Sequence, residues 1–193
     1  MSGRRLQAIA IFVMALPALA LAARFGTQGL GANPIEEITH TTGEWALRWL
    51  LTSLAITPAR RWLGWSRLAP LRRTLGLASF TYAGVHLTTW AFLDLGLDLA
   101  AIFEDLTERP YVMAGMAAFS LLLSLALTST RASMKRLGSR WISLHRAVYL
   151  AAVLAVVHHF WLIKADYWPA IVHGSILAAL LAARLLWRAR QSA

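Results

Sequence analysis

Residues 143–161 read SLHRAVYLAAVLAVVHHFW, an apolar run with one histidine near its start and two adjacent histidines near its end. A mainly apolar run of about 20 residues is long enough to cross the hydrocarbon core of a membrane as an α-helix. Ionisable side chains at that depth are costly and commonly belong to a functional site. The run therefore predicts a transmembrane helix that carries a ligand site.

The rest of the chain has the same apolar character. Of its 193 residues, 58% are hydrophobic and only 15% are charged, whereas about a quarter of the residues in a typical soluble domain are charged. We therefore predict an all-α, polytopic membrane bundle that forms one domain over residues 1–193. Six apolar runs predict six membrane-spanning helices, at about 7–24, 42–58, 74–95, 110–129, 142–163 and 168–187.

The charges between these runs predict a direction across the membrane. One side would hold both termini, the 59–73 loop and the 130–141 loop, and with the entry to the fifth run it has all but four of the nineteen basic residues. All nine acidic residues lie toward the other side. Because basic loops stay in the cytoplasm, this division predicts an even number of crossings with both termini cytoplasmic. One alternative is that residues 1–24 form a cleavable signal peptide, which would leave five spans.

Composition excludes several classes of site. The chain has no cysteine, so it cannot form disulfides, iron–sulfur clusters, thiolate metal sites or the covalent attachment of c-type haem. Its formal net charge of +10 is accounted for by basic cytoplasmic loops. No basic stripe is interleaved with aromatic residues as single-stranded nucleic acid requires, so we expect no nucleic-acid partner.

The histidines gather toward one leaflet. A helix rises about 1.5 Å per residue, so His86 and His158 are each expected about 20 Å above the cytoplasmic end of their runs. His145 lies at the cytoplasmic end of its run and is the one histidine expected in the inner leaflet. The other histidines expected in the outer half are His40, His159 and His173.

The pair of histidines at matched depth on different helices predicts a haem site. His86 and His158 can bind the two axial positions of one haem iron, and burial of the apolar porphyrin between helices is favourable. With both axial positions occupied, electron transfer is favoured over oxygen chemistry. A single buried histidine is explained equally well by a hydrogen bond to a carbonyl of a neighbouring helix. Helical periodicity does not decide between His158 and His159: His159 lies closer to the face of His145, but this favours His159 only if His145 also holds a haem facing the same way.

Basic side chains at the depth of this pair are candidates to neutralise haem propionates. The alternative for each is that its charged end extends to the lipid headgroups. The three candidates are Arg48, Arg109 and Lys164.

Eight sequence motifs between residues 29 and 164 are similar to those of one known family. They are GLGANPIEEITHTTG (29–43), LAITP (54–58), RRTLGL (72–77), HLTTWAFLDLG (86–96), ERPYVMAG (108–115), LALTST (125–130), LGSRWISLHRAVYL (137–150) and HHFW (158–161). On these motifs the chain resembles the MsrQ/YedZ family, within the ferric-reductase-like transmembrane group. The first span and the tail after residue 165 match the family only in character.

The resemblance implies a haem b electron-transfer subunit in the bacterial inner membrane. Its implied partner is MsrP, a molybdenum-containing periplasmic enzyme that reduces methionine sulfoxide in oxidised proteins. The implied electron source is the quinone pool, with an associated FMN. By position, the haem-associated histidines of the family fall on His86, His145 and His158, and the HHFW motif favours His158 over His159. His40 also matches a family histidine.

The sequence departs from the wider group at the inner leaflet. That group often carries two haems between its third and fifth spans, but Arg72 stands where the inner partner of His145 would be. One haem in the outer leaflet is therefore predicted, and His145 has three alternatives: a second haem, a quinone or flavin site, or packing at a helix end. No dinucleotide-binding glycine motif lies in a strand–helix setting, so we expect a separate electron donor.

Two other functions are compatible with an apolar helical chain that carries these histidines. The chain could be a stand-alone ferric or quinone reductase, or a transporter or assembly factor with incidental histidines. We expect that the chain performs no bond-making step itself, and no catalytic residue is assigned.

Overall fold

The computed structural model describes residues 3–27, 29–163 and 165–192, and the chain is helical over most of them. A π-helical segment, Thr89–Asp94, continues the third helix directly, and a 3-10 turn, Ser66–Leu68, precedes that helix. The α-helices are α1 (Gly3–Thr27), α2 (Pro34–Trp62), α3 (Leu71–Thr88), α4 (Leu99–Glu108), α5 (Pro110–Leu127), α6 (Arg131–Leu137), α7 (Ser139–His145), α8 (Val148–Leu162) and α9 (Trp168–Ser192).

Each of the six predicted runs falls on a long helical stretch, and the main differences concern the second and fifth runs. α2 begins at Pro34 rather than near residue 42, because proline fits the first helical turn and Asn33 accepts a hydrogen bond from the amide of Glu36. The fifth run is divided between α7 and α8 by a turn at residues 146–147. The short helices α4 and α6 lie between the predicted runs.

Four helical stretches are long and apolar enough to cross a membrane. They are Arg5–Thr27, Pro110–Leu127, Ser139–Leu162 and Trp168–Gln191. Charged and histidine side chains lower the hydropathy of α2 and α3, which is why these two helices do not qualify. Large apolar side chains such as Phe12, Ile171 and Leu185 are exposed on the outside of the bundle, as lipid contact requires. The all-α, multi-pass architecture is therefore confirmed, and the count of six crossings stays a prediction.

The core of the bundle forms where α2 meets α3, α5, α8 and α9. α2 packs along α3, and α5 packs along α8, so the centre consists of two helix pairs. Ala151 and Ala152 on α8 are fully buried, which lets the neighbouring helices approach closely. The remaining buried members of this cluster are Leu47, Leu50, Leu51, Leu54, Leu122 and Leu177.

α1 is joined to α3 by the hydroxyl of Tyr82. This hydroxyl donates to the carbonyl of Met14 at 2.7 Å and accepts from the amide of Ala18 at 3.1 Å. In a regular α-helix that amide and that carbonyl would bond to each other. The phenol is thus inserted into the hydrogen-bond ladder of α1, beside Pro17, and keeps both backbone groups satisfied in an apolar setting.

Candidate functional site

A cavity of about 370 Å³ lies between the two central helix pairs, α2–α3 and α5–α8. Its interior is lined by apolar side chains, among them Leu50, Ala83, Phe119 and Ala155. Its polar end lies where α2 and α5 begin and where the π-helical segment after α3 ends. The side chains that line this polar end include Asn33, Glu36, His40, Asp94 and Arg109.

His86 and His158 line this cavity and lie next to each other. Their ring centroids are 6.0 Å apart, and the ring planes make an angle of 82°. Two imidazole nitrogens bound to one metal atom at about 2.0–2.1 Å each would place the ring centroids roughly 6 Å apart. The separation of the two rings therefore matches the spacing of two imidazoles that share one metal atom.

A backbone carbonyl holds each of these rings by its Nδ1 atom. Nδ1 of His86 donates to the carbonyl oxygen of Thr39 at 2.8 Å, and Nδ1 of His158 donates to that of Tyr111 at 2.6 Å. Because a carbonyl oxygen only accepts, each neutral ring carries its proton on Nδ1, and Nε2 keeps its lone pair. This is the tautomer in which imidazole binds a metal through Nε2.

A glycine lies against each ring. A Cβ atom added at Gly43 would lie 2.8 Å from Nδ1 of His86, and one added at Gly115 would lie 2.7 Å from Nδ1 of His158. Carbon atoms in contact are normally about 3.5–4.0 Å apart. Each ring thus occupies space that any other residue on the neighbouring helix would fill.

These features fit a haem with two axial histidines. Two protein nitrogens complete the coordination of a metal only where the cofactor supplies its other ligands, as a porphyrin does. In the described part of the chain, no three His, Cys, Asp or Glu side chains are grouped so that they could hold a bare metal ion. Apolar walls suit the macrocycle, and a polar end suits its propionates.

His159 also lines the cavity, but its ring neighbours His173 rather than His86. The ring centroids of His159 and His173 are 5.3 Å apart. Nε2 of His159 and Nδ1 of His173 are buried and have no hydrogen-bond partner among the described residues. His173 does not line the cavity. The structure therefore brings His158, and not His159, to His86.

His40 lies at the polar end of the cavity, away from the central pair. Its Nε2 atom is 3.8 Å from a carboxylate oxygen of Glu36, and half of its side chain is exposed. His40 is thus placed to meet a polar group of a ligand rather than its metal.

His145 lies at the end of α7 and does not line this cavity. Its Nε2 atom shares a 3.1 Å hydrogen bond with the hydroxyl of Thr128, and its ring stacks on Trp141 with centroids 3.9 Å apart. These contacts account for a histidine at a helix end. A ligand-binding role for His145 stays a prediction.

The three basic candidates for the propionates are placed differently. Arg109 lines the polar end of the cavity. Arg48 does not: it forms an ion pair with Glu44 and lies over the ring of Trp45. Lys164 lies outside the described residues. Arg109 is therefore the candidate that the structure brings to the cavity.

Asp105 at the polar end was not identified from the sequence. Its side chain is buried, and it accepts from Trp90 Nε1 at 3.3 Å and from Arg109 Nε at 3.0 Å. Trp90 and Arg109 both line the cavity, so one carboxylate fixes two of its walls. The sequence signal was weak, because Asp105 is four residues before Arg109 among several acidic residues of one outer loop.

Comparison with known proteins shows which family this chain resembles in sequence. Residues 42–156 match the family described as the ferric reductase like transmembrane component. A protein of Rhodospirillum rubrum is 48% identical over 94% of this chain and 88% of its own length. A protein of Azospira oryzae is 45% identical over 97% of this chain and 82% of its own. Both are named protein-methionine-sulfoxide reductase heme-binding subunit MsrQ.

Proposed function

Because the chain belongs to the MsrQ family of ferric-reductase-like membrane proteins, we propose that it is the haem-binding electron-transfer subunit of a methionine sulfoxide reductase system. The observation that carries this proposal is the His86–His158 pair, with ring centroids 6.0 Å apart inside an apolar cavity. His86 and His158 are the proposed axial ligands of one haem b. A haem bound there supplies an iron that takes up and releases one electron reversibly.

The protein's own residues set the conditions for that chemistry. The carbonyls of Thr39 and Tyr111 keep the Nδ1 protons in place, so both Nε2 lone pairs are available for the iron. With both histidines bound to it, a haem iron would have no free position for oxygen. The apolar walls exclude water from the centre of the site, and burial and axial ligand identity are the factors that tune a haem potential.

The propionates are proposed to face the polar end of the cavity. Arg109 is the basic group there, and Asp105 orients it through their ion pair. His40 is a further polar contact at this end. An Arg–carboxylate contact in this position would be charge-assisted and would fix the tilt of the macrocycle.

The polar end is proposed to face the periplasm. Asn33, Asp94 and Arg109 lie at this end, and the acidic loops belong to the same side in the charge division. The proposal therefore retains six crossings with both termini in the cytoplasm of an inner-membrane protein. The partner at the periplasmic face is proposed to be an MsrP-type molybdenum enzyme that repairs methionine sulfoxide in oxidised proteins.

The electron source is proposed to be quinol from the membrane pool, with FMN as an associated flavin. This part of the proposal rests on the family resemblance described above. His145 is the proposed inner-leaflet position for a second haem, a quinone or a flavin, since it contacts Thr128 after the end of α5, whereas Arg109 at the polar end precedes α5.

A haem count on histidine variants tests the proposal. The purified full-length chain should give a sharp bis-histidine haem b spectrum that changes on reduction and transfers electrons to the partner enzyme. His86→Ala and His158→Ala should each abolish that haem in a pyridine-haemochrome assay. His159→Ala is the matched control, since this neighbour lines the cavity but faces His173. Wild-type haem content in the His86 and His158 variants would refute the ligand assignment.

A further inference from the structure

The α2–α3 and α5–α8 pairs repeat one local arrangement around the two histidines. In each pair, a histidine on the second helix lies against a glycine on the first, Gly43 for His86 and Gly115 for His158. In each pair, Nδ1 of the histidine donates to the backbone carbonyl four residues before that glycine. The sequence separation between this carbonyl and its histidine is 47 residues in both pairs. The two halves of the site therefore share one arrangement of carbonyl, glycine and histidine.

The imidazole rings are the nearest neighbours of a side chain placed at either glycine, and both glycines also line the cavity. At Gly43, the three nearest atoms to an added Cβ all belong to the His86 ring, at 2.8, 3.0 and 3.5 Å. At Gly115, the three nearest all belong to the His158 ring, at 2.7, 2.9 and 3.2 Å. A methyl group at either position would therefore have to displace the ring, because helix backbone cannot yield as a side chain can.

We infer that Gly43 and Gly115 are positioning residues that set the orientation of the two axial imidazoles, and through it the reduction potential of the haem. The inference rests on the ligation proposed above and extends it from the ligands to the helix surfaces behind them. Neither glycine contacts the metal. Each acts by leaving room for a ring that is also tied to the same helix by a hydrogen bond.

The expected effect on potential has a definite sign. A hydrogen bond from Nδ1–H to a carbonyl makes the imidazole a stronger electron donor through Nε2, which favours the ferric state. A Cβ that tilts the ring away from the glycine weakens this bond and turns the Nε2 lone pair off the metal axis. Gly43→Ala and Gly115→Ala should therefore raise the midpoint potential and weaken haem binding by about 10–100-fold, the range for loss of a supporting contact.

The first test uses haem-depleted full-length protein in detergent, so that the measured melting temperatures do not depend on haem binding. Gly43→Ala should lower the melting temperature when His86 is present. In a His86→Ala background the same change should leave the melting temperature unchanged or raise it, because alanine is the better helix former. Gly84→Ala on α3 is the matched control, since no described atom lies within 4 Å of a Cβ added there. The same loss in both backgrounds would overturn the inference.

The second test uses the haem-loaded protein. Redox titration and electron paramagnetic resonance should show a higher potential and an altered ligand-field signal in Gly43→Ala and Gly115→Ala, with Gly84→Ala like the wild type. Unchanged potential and signal in both variants would overturn the positioning role. A wild-type protein without a bis-histidine spectrum would instead refute the proposed function.

Discussion

The imidazole planes of His86 and His158 are nearly perpendicular, at 82°, although the two rings belong to helices from different halves of the cavity. Each ring is held by its own carbonyl and lies against its own glycine, so these contacts within the protein hold the two planes at this angle.

A perpendicular pair of axial imidazoles predicts a recognisable magnetic signature. Ferric haem with perpendicular ligand planes gives a highly anisotropic low-spin signal, because the two ligands affect the iron d orbitals about equally. We expect this signal in low-temperature electron paramagnetic resonance of the oxidised protein. A rhombic spectrum, as parallel imidazole planes produce, would contradict the geometry of His86 and His158.

Asp105→Ala should destabilise the polar end of the cavity. The buried carboxylate accepts from Trp90 and from Arg109, and loss of an acceptor for a charged or buried donor costs about 1–3 kcal/mol. Chemical denaturation of the purified chain in detergent measures this loss. Glu104→Ala removes an exposed neighbouring carboxylate and should stay within about 0.5 kcal/mol of the wild type. Equal losses in the two variants would show that the contacts of Asp105 are not responsible.

Tyr82→Phe should loosen α1 from the bundle. Without the hydroxyl, the amide of Ala18 and the carbonyl of Met14 lose the partner that bridges them, at a cost of about 1–3 kcal/mol. Hydrogen exchange at the Ala18 amide should accelerate. Tyr149→Phe is the control, because it keeps the ring beneath the Arg184 guanidinium. Unaltered exchange at Ala18 would mean that α1 does not depend on this bridge.

His145→Ala should leave the haem between His86 and His158 intact. His145 is held by Thr128 and Trp141 and does not line the cavity, so its removal leaves the proposed ligands and their supports in place. The outer haem should keep its reduced spectrum and its midpoint potential in a redox titration. Loss of all haem from this variant would contradict the assignment, whereas loss of one of two haems would identify His145 as a ligand of the second.

Single cysteines test the proposed orientation. The chain has no native cysteine, so Glu108→Cys and Arg67→Cys each provide a unique thiol. A membrane-impermeant maleimide added to intact spheroplasts should label the thiol at residue 108, and it should label that at residue 67 only after permeabilisation. The opposite pattern would reverse the direction inferred from the charges.

The histidine pair shows how far sequence reasoning reached. The rise of a helix predicted His86 and His158 at matching depth, because depth depends only on the number of residues along each helix. The direction in which each histidine points around its helix axis could not be predicted in the same way. The turn at residues 146–147 separates His145 from α8, so counting 100° per residue from His145 does not give the face of His158 or His159. The argument for His159 requires a regular helix and a haem at His145 facing the same way, and the helix is not regular at this turn.

The residues around the histidine pair also could not be identified from the sequence alone. Arg48 and Arg109 are both basic residues at suitable depth, yet Arg48 does not line the cavity and forms an ion pair with Glu44, one turn before it. Gly43 and Gly115 lie within helices and do not have a positive φ angle, so no turn motif in the sequence marks them as important. Their importance appears only when an imidazole from another helix occupies the space beside them.

The sequence by itself determined a helical membrane protein, separated its basic loops from its acidic loops, and predicted that His86 and His158 lie at matching positions along their runs. These properties depend on hydropathy, charge and residue count, which are local to each segment. Only the tertiary structure decided which two histidines meet, which carbonyls and glycines hold them, and which arginine reaches the cavity. Those outcomes depend on helix rotation and close packing between segments distant in the chain, and no single segment encodes them.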